Sequence, residues 1–284
     1  MDTKRFKEKR AFWLLRLATY FVVFVVGYII FDIVYHGAGA ISWTFLTDIP
    51  RKSGSEGGIL PVIVGTLYLV LGTIVVALPL GMAGAVYLSE YAKQGRLTRA
   101  IRLAIVTLAG IPSIVFGLFG LGLFVIFLKF GASIIAGSLT LACMVLPIII
   151  VASEEALRAV PQSFREASLA LGATKWQTIR KNVLPYAVPG MATGSILALG
   201  RAAGETAPIL LTVAAFFLPK LPNSIFDQVM ALPYHLYILA TQLPDVNKVR
   251  PLQYGTALVL IALVLGLNLA AILLRSHFRK KYRW

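Results

Sequence analysis

The stretch Ser163-Phe-Arg-Glu-Ala-Ser-Leu-Ala-Leu-Gly172-Ala-Thr174-Lys-Trp-Gln177-Thr-Ile-Arg-Lys-Asn-Val-Leu-Pro185 is a polar, charged island between long apolar runs. Its punctuation predicts two short capped helices. Pro161 blocks any helix arriving from upstream. Ser163 with Glu166 three residues on reads as a capping box, each side chain satisfying a backbone donor of the other residue. Gly172 suits the left-handed position that ends a helix. Thr174 with Gln177 reads as a second capping box, and Pro185 closes the unit. Two capped helices in the loop of an apolar chain offer a shaped surface to something in water. The alternative is an amphipathic hairpin lying on a membrane surface.

The runs on either side fix the class. Of 284 residues, 58% are hydrophobic and 14% charged, where a soluble domain carries about a quarter charged residues. Six apolar blocks, at 12–35, 59–88, 103–128, 133–152, 186–218 and 254–274, reach the roughly 20 residues that cross a bilayer as helix. Helices satisfy their backbone groups internally in lipid. The expected fold is therefore all-α, an integral membrane bundle of six transmembrane helices. Residues 1–11 form an N-terminal segment and 12–58 the first helix with its external loop. Residues 59–274 form the core, including the polar loop 153–185, and 275–284 a basic tail.

The formal charge of +15 invites a nucleic-acid partner, and its distribution refuses one. Lys4, Arg5, Lys7, Lys9 and Arg10 precede the first block, and Lys93, Arg96, Arg99 and Arg102 lie between the second and third. Arg158, Arg165, Lys175, Arg180 and Lys181 lie in the polar loop, and Arg275, Arg279, Lys280, Lys281 and Arg283 in the tail. The alternate loops hold only Arg51 and Lys52, then Lys129, then Lys220, Lys248 and Arg250. Excess Lys and Arg mark the cytoplasmic side, so both termini and the polar loop are expected there. The first apolar run exceeds the 7–15 residues of a signal-peptide core, so it reads as a retained span despite Ala38-Gly-Ala40.

The fifth block contains Gly200-Arg201-Ala-Ala-Gly204-Glu205-Thr206-Ala-Pro208. A charge at a membrane helix centre costs about 2.5–3.5 kcal/mol on insertion scales, so such residues face a partner or an aqueous path. Arginine before glutamate is the weaker order for helix pairing, so helix stability alone explains the pair poorly. Pro208 has no N–H for the Gly204 carbonyl, which is freed if the helix continues. Gly190, Gly194, Ala198 and Ala202 form a row suited to close helix approach. Arg201 and Glu205 read either as a structural ion pair or as residues lining a solute path, where a guanidinium fork matches a tetrahedral oxyanion.

Two resemblances narrow this. Glu166, Ala167, Gly172, Leu184 and Pro185 fall at the matching positions of the EAA loop of ABC importer permeases: Glu-Ala-Ala, three residues, Gly, nine residues, Ile-x-Leu-Pro. Ser168 replaces the second Ala, and Asn182 the aliphatic residue. The fifth-block segment resembles the signature of phosphate-specific ABC importer permeases of the PstA type. Supporting it are Leu-Ser-Glu90-Tyr, Ile-Ser-Trp43-Thr-Phe-Leu-Thr, Gly57-Gly58-Ile-Leu-Pro and Ala231-Leu-Pro-Tyr-His.

The resemblance implies a type I (MetI-like) permease fold and import of inorganic phosphate. Arg201, Glu205 and Thr206 would lie on the substrate path, and Arg165, Glu166, Ala167, Gly172, Lys175, Trp176 and Pro185 at the ATPase coupling surface. It implies a PstC-type permease, two PstB-type ATPase subunits carrying ATP and Mg, and an external PstS-type phosphate-binding protein as partners, in contact with membrane lipid. A permease for molybdate or sulfate, or a membrane scaffold or signalling subunit, are the rival readings.

The remaining features are less specific. Pro79, Pro112 and Pro147 read as packing kinks, and Gly117, Gly120 and Gly122 as close-packing positions. A half-buried interfacial helix is expected around 225–239, with Tyr234 and Tyr237 at the membrane–water boundary. Cys143 reads as a packing residue, and the three histidines are too scattered for a metal site. The chain has neither a Gly-x-x-x-x-Gly-Lys-Ser/Thr loop nor a hydrolase motif, so no catalysis and no cofactor are assigned to it.

Overall fold

A computed structural model describes residues 2–243 and 246–281, and the side chains of all these except 2–7, 53, 246–248 and 278–281. The basic residues Lys4, Arg5, Lys7, Lys248, Arg279, Lys280, Lys281 and Arg283 counted above lie outside the described side chains. In chain order, α1 (Asp2–Gly37) leads to α2 (Trp43–Thr47), started by Ser42, whose hydroxyl accepts from the Phe45 N–H at 3.1 Å. A two-stranded antiparallel hairpin, β1 (Pro50–Arg51) and β2 (Glu56–Gly57), is the one strand pair among the described residues. Then come α3 (Leu60–Val86), α4 (Arg96–Ala109), α5 (Ser113–Gly120), α6 (Ile134–Ala159), α7 (Gln162–Ala170) and α8 (Lys175–Thr178). The chain finishes with α9 (Leu184–Gly204), α10 (Ala207–Thr212), α11 (Leu232–Thr241) and α12 (Val246–Lys281).

Five helical stretches are long and apolar enough to cross a membrane, and α4 with α5 makes a sixth if the bent pair is one span. α6 is the axis of the molecule: 67% of its most apolar stretch is buried, against none in those of α1 and α12. It packs between α3 and α9, with Leu69, Ala77, Leu141, Val145, Ala198 and Ala202 in one buried cluster. The small-residue row does what its spacing predicts: Gly190 and Gly194 seat directly against Ala156 and Ala152 of α6. α1 rests on α12 and turns Phe12, Trp13, Phe21 and Phe24 outward, as a helix apolar all round does in lipid.

Four sequence expectations need correction. The third span is not one helix: α4 and α5 are bent by 103° across Gly110-Ile111-Pro112. Pro112, without an N–H and at φ −56°, ψ 138°, stands ahead of α5 and breaks the helix rather than kinking it. The fifth span does not run to 218, because α9 stops at Gly204. The external helix begins at Leu232; upstream, Ala215 donates to the Val229 carbonyl and Ile134 to that of Asp227, so 213–231 folds back as irregular chain over the start of α6. Of the three third-span glycines, Gly117 and Gly120 touch neighbours and Gly122 meets open space.

Candidate functional site

Two regions carry the charged chemistry, one at each end of a single helical run. α8 does not stop at a turn. It passes through a wide turn of helix at Ile179–Val183 into α9, giving 30 helical residues from Lys175 to Gly204. At 1.5 Å per residue that is a rod about 45 Å long. Pro185 stands in the first turn of α9, directly after the wide turn, and so lies within the helical run instead of closing the unit.

At the far end of the rod lies the break. Glu205 is extended (φ −76°, ψ 134°), and Thr206 leads into α10 with Pro208 in its first turn. The helix therefore ends where Pro208 could not have bonded the Gly204 carbonyl, and the freed oxygen belongs to a helix terminus, not to a continuing helix. Arg201 Nε donates to Glu205 Oε1 at 3.3 Å, with the side chains 35% and 18% exposed. Continuing the register set by Gly190 and Gly194 puts Arg201 level with Val145, near the middle of α6. Leu197 is 64% exposed and Gly204 meets nothing, so the chain covers the face bearing Arg201 only in part. Gly117 of α5 seats against Ala207 and Pro208 and braces the break from behind. Thr206 follows directly and is half-buried.

At the near end, α7 and α8 form the helix–turn–helix. The Thr174–Gln177 capping box is present: Thr174 N–H donates to Gln177 Oε1 at 2.9 Å, and Gln177 N–H to Thr174 Oγ1 at 3.3 Å. Gly172 adopts φ +83° and ends α7 as expected. The Ser163–Glu166 box does not form. α7 starts two residues early, at Gln162 behind Pro161, so Ser163 lies inside the first turn and caps nothing. What fixes that start is Arg165, which donates to the Val160 and Leu157 carbonyls at 2.8 and 2.9 Å and to both oxygens of Glu90. The Arg165–Glu90 pair is nearly buried, at 12% and 7% exposure. Arg165 thus holds the loop from beneath and does not present its charge outward.

Glu166, Ala167, Gly172, Lys175 and Trp176 are all exposed on this loop. Lys175 lies 5.0 Å over the Tyr91 ring. Leu171, 90% exposed beside Gly172, joins Trp176 to give the loop an apolar tip, and sequence reading did not single it out. Sequence reading also missed the acidic side of the anchor. Glu154 accepts from Arg102 at 2.8 Å and Arg158 at 2.7 Å, and Arg102 continues to the Leu88 carbonyl at 2.9 Å. Acidic residues at the ends of apolar runs, Glu90 and Glu154, were the available signal. A cleft of about 570 Å³ separates the loop from the helix ends, lined by Glu90, Arg158, Gln162, Arg165, Leu169 and Lys175 among others.

Residues 77–284 match the family model described as binding-protein-dependent transport system inner membrane component. The chain is 36% identical over 263 residues to the probable ABC transporter permease protein YqgI of Bacillus subtilis, covering 88% of each. It is 40% identical over 228 residues to the phosphate transport system permease protein PstA 1 of Mycobacterium tuberculosis, covering 80% of this chain and 72% of that one. Among solved structures, it superposes with a TM-score of 0.65 on a chain of a bacterial ABC transporter involved in import of the acidic polysaccharide alginate, at 13% identity and 93% coverage of both. That likeness carries the fold.

Proposed function

Because the chain belongs to the binding-protein-dependent transport system inner membrane component family, we propose that it is a membrane-spanning subunit of an ATP-driven importer of inorganic phosphate. The observation that carries this is the Arg201–Glu205 pair at a helix break level with the middle of α6, on a face the chain covers only in part. A charged pair cannot face lipid there without a cost of several kcal/mol. A second permease, PstC-type, packed against this face would enclose an aqueous seam between the two. Broken helices that aim their ends at a solute near the bilayer midplane are a recurring transporter device.

Within that seam Glu205 holds one edge of the Arg201 guanidinium through Nε and leaves the Nη groups for a solute. A tetrahedral oxyanion fits those forked donors. The similarity to PstA 1 favours phosphate over molybdate or sulfate. The exposed loop tip, Leu171 and Trp176 with Glu166 and Lys175, would dock on a separate ATPase subunit, one of two that hold ATP and Mg. The rod from Lys175 to Gly204 would carry its movement to the break. The excess of Lys and Arg around the loop supports a cytoplasmic position for this face and for both termini. The opposite face, with the hairpin and α11, would receive the phosphate-binding protein.

The test is phosphate uptake into proteoliposomes, normalised to assembled complex, for Arg201→Lys, Glu205→Gln and the charge swap. Arg201→Lys keeps the charge and loses the fork, so uptake should fall sharply. Wild-type transport per complex in all three variants would leave the pair as scaffolding and overturn the solute-path reading.

A further inference from the structure

α9 and α12 run antiparallel along a seam where two polar side chains of α12 meet α9, seven residues apart on each helix. At one, Arg275 donates to Thr193 Oγ1 at 2.9 Å. At the other, the carboxamide of Asn268 lies flat against Gly200: a Cβ there would stand 3.1 Å from Nδ2 and 3.3 Å from Oδ1. Glycine makes the notch that admits the amide. Asn268 stands in an otherwise apolar run, Leu265-Gly-Leu-Asn268-Leu-Ala-Ala, and its Oδ1 is buried without a hydrogen-bond partner. An unpaired amide oxygen in hydrocarbon is unfavourable, and leucine of similar volume would serve packing better. Next to Gly200 on α9 stands Arg201, whose Nη groups make no hydrogen bond among the described residues. A buried acceptor without a donor therefore adjoins a residue with unused donors.

We infer that Asn268 is a positioning residue for the solute path, whose amide oxygen holds the Arg201 guanidinium when Glu205 gives way to the arriving anion. The inference rests on the solute-path reading of Arg201. It assigns α12 a part in the site, through a rotamer change of one long side chain and not a movement of the helix. The acceptor keeps the fork aimed while its Nε partner is exchanged, so its loss is felt at solute binding.

The experiment is the concentration dependence of phosphate uptake, with the melting temperature of the purified complex, for Asn268→Leu, Asn268→Ser and Arg201→Lys. A hydrogen bond to a charged group corresponds to about a tenfold effect or more. Asn268→Leu should raise the KM for phosphate about tenfold while the complex melts no lower than the parent. Asn268→Ser, which keeps an acceptor, should fall between them. A structural role predicts the reverse pattern, unchanged KM with altered melting, and that result overturns the inference. Should the leucine variant fail to assemble, Asn268→Ala is read the same way. If Arg201→Lys raises KM and no Asn268 variant does, this inference alone fails. If Arg201→Lys is also silent, the solute-path reading fails with it.

Discussion

Asn182 donates its side-chain N–H to the hydroxyl of Ser168 at 2.8 Å, tying α7 to the helix that follows it. Ser168 lies in turn 3.0 Å from the hydroxyl of buried Thr178. These are the two positions at which the loop departs from the Glu-Ala-Ala…Ile-x-Leu-Pro pattern, so a single polar clasp stands in for an apolar pair. The departures compensate each other. Ser168→Ala alone should strand the Asn182 amide and cost about 1–3 kcal/mol. Ser168→Ala with Asn182→Ile should recover the part of that loss due to the Asn182 amide, the Thr178 hydroxyl alone being left without Ser168. Thermal unfolding of the assembled complex across the double-mutant cycle checks this, and strictly additive effects would show the two residues to be independent.

Gly172 tests the loop's shape separately from its contacts. Its φ is +83° and a Cβ there would meet nothing within 4 Å, so any effect of substitution comes from the backbone. A residue with a side chain pays about 1–2 kcal/mol in this region, asparagine less and a β-branched residue more. Gly172→Val should sharply reduce co-purification with the ATPase, Gly172→Asn should leave it close to normal, and both chains should insert in the membrane. Equal behaviour of the two variants would remove the turn from the docking surface.

On the opposite face, His235 of α11 is 2% exposed, with Nδ1 unpartnered and its ring against Gly54 near the hairpin. Burial lowers its pKa to about 4, while an unfolded histidine titrates near 6.5. The unfolded chain therefore takes up the proton first as pH falls. Stability is full above about pH 6.5 and declines from there toward about pH 4, by roughly 3 kcal/mol for this one group. Melting temperatures from neutral pH to about pH 4.5 should drop less in His235→Gln than in the parent. Parallel curves would mean that the ring is charged, or hydrated, in the folded protein.

How far the sequence reaches can be judged from single residues. The Thr174–Gln177 box, the Gly172 turn and the Gly190–Gly194 packing row were legible because each rests on residues within one or two helical turns. The Arg165–Glu90 anchor was not, since its partners are 75 residues apart and only folding joins them. Arg165 consequently read as a surface charge. Ser163 misled for a different reason: its local pattern favoured a cap, but Pro161 takes the cap position and Arg165 bonds the Val160 and Leu157 carbonyls just upstream, so α7 starts two residues earlier. Asn268 gave no motif at all, and its meaning comes from the notch at Gly200 on another helix.

The break between α9 and α10 gives the last prediction. Pro208 withholds the N–H that the Gly204 carbonyl would need, and the chain opens at Glu205 and Thr206 instead of continuing as helix. Pro208→Ala supplies that N–H and lifts the restriction on residue 207, so it favours closing the gap into one helix. Closure would carry Glu205 from an extended conformation to a helical one and turn its carboxylate relative to Arg201. The buried surroundings of Pro208, packed on Gly117, accept alanine without a clash, so assembly should persist. Phosphate uptake per complex should fall at least severalfold, and spin labels flanking the gap should report a shorter, narrower distance distribution. Full uptake with a closed gap would show that the pair works without the break. Full uptake with the gap still open would show that α5 and the fold around it hold the break without the proline.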